Sequence, residues 1–151
     1  MVVKMKIKVS LIVFGVLICV ALAFIACVWN ALTTPHTDIL NHTITNIEVN
    51  EESFTVRGRL HTMLDMIDGY SYRIEKDYLY IRIYVVMDVS DGDTGGRRRF
   101  IEYEHLMTDD INKIFIEDDR NSILIWERTQ GYGLFNVEEY WREEIRKIRE
   151  Q

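Results

Sequence analysis

Hydrophobic positions fall into three regimes along the chain. From Ser10 to Leu32 they run almost continuously, 23 residues without a charge. From Ile44 to Glu127 they alternate with polar positions in short runs, and from Asn136 onward they recur every three or four residues. These patterns predict, in turn, a membrane-length helix, a set of strands and an amphipathic helix.

A helix of that first length spans about 34 Å, enough to cross a hydrocarbon core of about 30 Å. Trp29 near its end suits a headgroup-level position. Lys4, Lys6 and Lys8 precede the segment and no Lys or Arg follows until Arg57. The positive-inside rule therefore predicts a basic cytoplasmic stretch over 1–9, a span over 10–32 and everything later outside the cytoplasmic membrane. Three fates remain open for the span. Its length favours an uncleaved anchor over a signal peptide, whose apolar region is usually ~7–15 residues. Ala21-Leu22-Ala23 offers a small-x-small cleavage site, and Ala23-Phe24-Ile25-Ala26-Cys27 is a relaxed lipidation motif. Each fate leaves the same domain outside.

Residues 33–43 read as a polar connector with the chain's one proline, Pro35, and two histidines, His36 and His42, expected to be solvated. Strand patterns follow at Ile44–Val49, Ser53–Leu60, Tyr70–Glu75, Tyr78–Met87, Arg98–Glu104, Lys113–Glu117 and Ile123–Glu127. Phe54, Val56, Gly58 and Leu60 share one face of the second run, and Leu79, Ile81, Ile83 and Val85 one face of the fourth. Lys76-Asp77 makes a two-residue turn between the third and fourth. Seven short strands with turns between them predict an all-β domain over 44–128, a seven-stranded antiparallel sandwich of immunoglobulin-like or Greek-key type.

Gly131-Tyr132-Gly133 ends the alternation. Asn136 with Glu139 three positions on is a variant of the capping box, and it opens a helix predicted over 136–150. Val137, Tyr140, Trp141, Ile145 and Ile148 fall on one helical face. Glu138 and Glu139 lead while Arg146, Lys147 and Arg149 close, as the helix dipole favours. Glu138–Arg142 and Glu143–Lys147 are expected i,i+4 pairs. The helix docks either on its own domain or on a partner.

Composition narrows the function. Both cysteines, Cys19 and Cys27, lie in the apolar segment, so the outer domain has no disulfide and depends on burial alone. Removing the +3 of Lys4, Lys6 and Lys8 from the chain's −6 leaves −9 for the part after Lys8. An acidic domain disfavours nucleic acid and adsorption to anionic lipid. It suits a cation, a peptide or a basic protein.

Three constellations invite chemistry. Asp88-Val89-Ser90-Asp91-Gly92-Asp93-Thr94-Gly95-Gly96 alternates oxygen ligands and glycines as a calcium loop does, but the spacing fails the EF-hand template and suits a hairpin loop. Arg97, Arg98 and Arg99 behind it serve to neutralise those aspartates. The tyrosines Tyr70, Tyr72, Tyr78, Tyr80 and Tyr84 form a stripe that suits a glycan or peptide platform if exposed. For catalysis the domain offers His61 and His105 without a nucleophile motif, so neither an enzyme nor a cofactor is expected.

The segments GYSYRIEKDYLYIRIYV and INKIFIEDDRNSILIW, behind a lysine-led apolar helix, resemble small membrane-anchored extracytoplasmic β-domain proteins of Firmicutes. The resemblance covers about residues 44–127 and implies a fold and a bacterial membrane location, with no activity attached. The helix from Asn136 departs from that pattern. The expected function is a single-pass anchored, extracytoplasmic binding or accessory module for a protein partner, glycan or peptide. The alternative is a small sensor or immunity-type inhibitor whose C-terminal helix engages a membrane partner.

Overall fold

The structure, a computed structural model, describes residues 2–62, 64–87 and 99–151, with side chains from Phe14 onward. The chain divides into two units, Met1–Thr34 and Pro35–Gln151. The first is one helix, α1 (Val2–Thr33), which contains the expected 10–32 span. Its Phe14–Thr33 stretch reaches a mean hydropathy of 2.4 and is long and apolar enough to cross a membrane. Side chains from Phe14 to Ala31 are all exposed. The hydroxyls of Thr33 and Thr34 donate to the carbonyls of Trp29 and Asn30, at 2.9 and 2.5 Å, and the Asn30 carbonyl also accepts from Thr34 N at 2.9 Å. Cys19 and Cys27 are free thiols on this helix.

The second unit is mostly β and ends in a helix. Its strands are β1 (His36–Thr37), β2 (His42–Val49), β3 (Ser53–Leu60), β4 (Asp65–Glu75), β5 (Tyr78–Met87), β6 (Phe100–Leu106), β7 (Lys113–Glu117), β8 (Ser122–Glu127) and β9 (Gly133–Asn136). The described residues thus hold nine strands where seven were expected. The two additions, β1 and β9, are too short to show an alternation. One sheet runs β6-β3-β2-β9, and the other joins β4, β5, β1, β7 and β8.

β5 organises the second sheet. β4 pairs along its whole length on one edge; on the other, β7 takes Tyr78–Ile81 and β1 takes Tyr84–Val85. The β5–β7 pair is parallel, which corrects the all-antiparallel expectation. The reason is the path between them. The chain leaves β5, adds β6 to the other sheet and returns to the edge of β5, so the crossover a parallel pair requires is supplied by a strand of the opposite layer.

Inner faces of both sheets meet in one core, with Leu79, Ile81, Ile83 and Val85 in the same buried cluster as Ile44, Ile47, Phe54 and Val56. The connector is taken into the domain from His36 onward. Its Ile39 is buried, and Asp38 caps the 3-10 turn Ile39–Asn41 by accepting from Leu40 N at 2.8 Å. β4 begins at Asp65, ahead of the expected Tyr70. Gly69 marks a register shift within the strand, and pairing continues on both sides of it.

α2 (Glu138–Arg149) closes the domain. Asn136 belongs to β9 and the N-cap is Val137, without a side-chain cap, so the expected Asn136 cap is not formed; Asn136 Oδ1 accepts instead from Glu138 N at 3.1 Å. Val137, Trp141 and Ile145 join the sheet core, so the helix docks on its own domain. Glu138 pairs with Arg142 as expected, whereas Glu143 and Glu144 pair at i,i+3 with Arg146 and Lys147.

Close approach of β2 and β3 depends on Gly58. A Cβ there would lie 2.4 Å from the Thr43 carbonyl oxygen and 3.2 Å from Ile44 Cα, both backbone atoms. Gly58→Ala is expected to cost at least about 2 kcal/mol, the scale of core overpacking. Chemical unfolding of the full chain in detergent micelles checks this, and an unchanged midpoint contradicts it.

Candidate functional site

A cleft of about 600 Å³ lies where α2 meets β2 and β3. Thr43 and Arg59 are directly paired across β2 and β3, so both point to the same side of the sheet. Leu60 and His61 continue that wall. From α2, Arg142, Arg146 and Arg149 supply the other side, at i, i+4 and i+7, one stripe of a helix. The adjacent stripe, Trp141 and Ile145, is buried and forms an apolar floor with Leu60. The helix therefore turns one face to the core and sets a row of guanidinium groups along the mouth.

Ion pairs satisfy only part of this charge. Glu138 Oε1 accepts from Arg59 Nη2 at 3.0 Å and from Arg142 Nη2 at 2.5 Å, joining the two walls. Arg146 pairs with Glu143 at 2.7 Å. Arg149 makes no ion pair among the described residues. Four guanidiniums against two carboxylates leave a local excess of two positive charges, on a domain whose overall charge is strongly negative.

Of the two nearby histidines, His61 lines the cleft and His42 is buried behind it. The His61 ring shares a hydrogen bond with Thr43 Oγ1 at 2.5 Å. Desolvation lowers its pKa, and the charges of Arg149, Arg59 and Arg142 lower it further, against the Leu40 backbone carbonyl. His42 is 1% exposed, so the solvated histidine expected in a connector is instead in the interior. Its backbone carbonyl accepts from Trp141 Nε1 at 3.0 Å, and its ring centroid is 5.4 Å from that of Trp141. Neither ring nitrogen makes a hydrogen bond of normal geometry, although the Asp38 backbone acts on the ring. Burial lowers its pKa to about 4, with His61 adding to the shift and the Asp38 backbone and Asp118 opposing it.

The other candidates are placed as follows. The tyrosines do not form one platform. Tyr70 pairs with Ile83 and Tyr72 with Ile81, so these two share the inner face of β5 and reach β6, where Tyr70 is 5.1 Å from Tyr103 and Tyr72 4.3 Å from His105. Tyr78, Tyr80 and Tyr84 lie on the outer face, where Tyr80 stacks on Phe115 at 5.0 Å and Arg73 covers the Tyr80 ring at 3.8 Å. Arg73 and Arg82 both bind Glu117, which is 6% exposed. Burial raises the Glu117 pKa, and hydrogen bonds from the two arginines more than reverse this and hold it below the ordinary range.

His61 and His105 stand at opposite ends of the β3–β6 pair, since Phe54 faces His105 and Arg59 faces Phe100. They do not form a joint site. The Asp88–Gly96 loop, Arg97 and Arg98 lie outside the described residues, and Arg99 is exposed. Among the described residues no group of three or more His, Cys, Asp or Glu is arranged to hold a metal ion. The cleft itself was not foreseen. Its one sequence signal was the spacing of Arg142, Arg146 and Arg149 beside Trp141 and Ile145.

Comparison with protein-family models, with curated proteins and with solved structures finds no match.

The buried His42 makes stability pH-dependent. Between its folded pKa of about 4 and its unfolded value of 6.5 the unfolded chain binds more protons. Stability is thus fully present above 6.5 and lost as pH falls toward 4, by about 3 kcal/mol. His61 and His105, both shifted down, act in the same direction. Unfolding of the full chain in micelles across this window should show the slope, and His42→Leu should flatten most of it.

Proposed function

We propose that the protein is a single-pass, membrane-anchored binding module whose domain is held outside the cytoplasmic membrane and whose ligand site is the arginine-walled cleft. The cleft carries this reading. It combines a volume suited to a small ligand, about 600 Å³, with a buried apolar floor and unneutralised positive charge at its mouth. The lysines ahead of α1 and the absence of Lys or Arg until Arg57 support the orientation. A binding role is favoured over catalysis because Thr43, whose hydroxyl is hydrogen-bonded to His61, is buried, and among the described residues no carboxylate bonds to the His61 ring to orient it as a base. As to kinship, the β5–β6–β7 path from one sheet to the other and back supports a variant of the immunoglobulin-like or Greek-key sandwich.

The alternative, a sensor or immunity-type inhibitor engaging a membrane partner through its C-terminal helix, needs a free apolar face on α2. Trp141, at 1% exposure, is already used against β2. The outer face of β5 and β7 is a weaker platform, because Arg73 already occupies the face of Tyr80.

Protease digestion of intact cells should remove the Pro35–Gln151 unit, and inverted vesicles should protect it. Among anionic, neutral and cationic small molecules, those that raise the melting temperature of the full chain in micelles should lose their effect in Arg142→Glu/Arg146→Glu. Hits that survive those substitutions would place the ligand site elsewhere.

A further inference from the structure

We propose that the cleft takes a doubly charged tetrahedral oxyanion, a phosphate monoester group carried on a small apolar body. This rests on the cleft being the ligand site and specifies what it binds. The first argument is charge. Of the four guanidiniums lining the cleft, Arg59 and Arg142 share Glu138 and Arg146 is held by Glu143, while Arg149 has no carboxylate among the described residues. The excess of two positive charges is matched by a dianion, and a single carboxylate or sulfate ester leaves one uncompensated.

The second argument is direction. Guanidinium donors line the cleft from two elements, Arg59 at the end of β3 and Arg146 and Arg149 on α2. Groups arriving from separate walls suit a tetrahedral centre with three free oxygens better than a planar carboxylate, which one guanidinium fork can satisfy alone. The third argument is the floor. Half-buried Leu60, with the edges of the buried Trp141 and Ile145, lines the cleft among these donors, and an ester covers apolar surface that a bare ion leaves wet. His61, whose ring is hydrogen-bonded to Thr43 and lies in the field of Arg59, Arg142 and Arg149, holds the Thr43 side chain in place at the cleft wall. One phosphate chemistry has two sources here, a soluble monoester or the headgroup of an anionic lipid.

The test uses the full chain in detergent micelles and calorimetric titration at about pH 8, where a phosphate monoester is a dianion. Phenyl phosphate should bind, phenyl sulfate, with one charge, should bind about tenfold more weakly, and phenol should not bind. The step is that of one charge-assisted hydrogen bond. Arg149→Gln and Arg146→Gln should each weaken phenyl phosphate by about tenfold, whereas Arg120→Gln, in the β7–β8 turn, should leave it unchanged. Near-UV circular dichroism of each variant separates lost binding from lost fold. A second arm compares nanodiscs of phosphatidylcholine with nanodiscs of equal parts phosphatidylcholine and phosphatidic acid. Competition with phenyl phosphate by phosphatidic acid assigns the lipid source, and its absence assigns the soluble one; either supports the phosphate site. Binding of neutral or zwitterionic compounds in the cleft without phenyl phosphate overturns the phosphate assignment and leaves the binding module standing. No binding of any class at the cleft overturns both.

Discussion

The site depends on one contact, the docking of Trp141 against the first residue of β2. The indole N–H meets the His42 carbonyl, the two rings face each other, and the helix behind is held by its core residues Val137 and Ile145. That seat orients everything else on α2. Arginines at 142, 146 and 149 lean over the β2–β3 edge because the turn between them is pinned from below. The same contact hides His42, making one residue both a structural carbonyl and a buried ring with no hydrogen bond of normal geometry.

Local charge and net charge point in opposite directions here. The acidic total of the chain after Lys8 disfavours anions, yet arginines from two distant segments are gathered at one cleft whose carboxylates are too few to neutralise them. Long-range fields follow the total, whereas a contact at hydrogen-bond distance follows the nearest groups. An anion would approach this domain slowly and be held locally.

Much of the architecture was legible because alternation is a strong signal. Phe54, Val56, Gly58 and Leu60 on one face, and Leu79 to Val85 on another, fixed two central strands with their ends. β1 and β9 escaped because two and four residues carry no usable period. The tyrosine faces were recoverable and were misjudged. A two-residue turn at Lys76-Asp77 sets Glu75 opposite Tyr78, and counting from there places Tyr72 opposite Ile81 and on the inner face. Half of the cleft was readable as a basic helical stripe. Arg59 and His61 were beyond reach, because what brings them to α2 is the docking of a helix onto strands far away in sequence.

That distance has a kinetic consequence. His42 and Trp141 are 99 residues apart, and β2 also takes its outer strand partner, β9, from the far end of the domain. Hairpins such as β2–β3 and β4–β5 form from neighbouring residues, but the layer that seats the helix waits for a large loop to close. During synthesis β2 therefore emerges early and stays half-paired until β9 and α2 arrive. A nascent chain in that interval exposes an unpaired strand edge and an uncovered histidine, which is the form a chaperone or a protease would meet first.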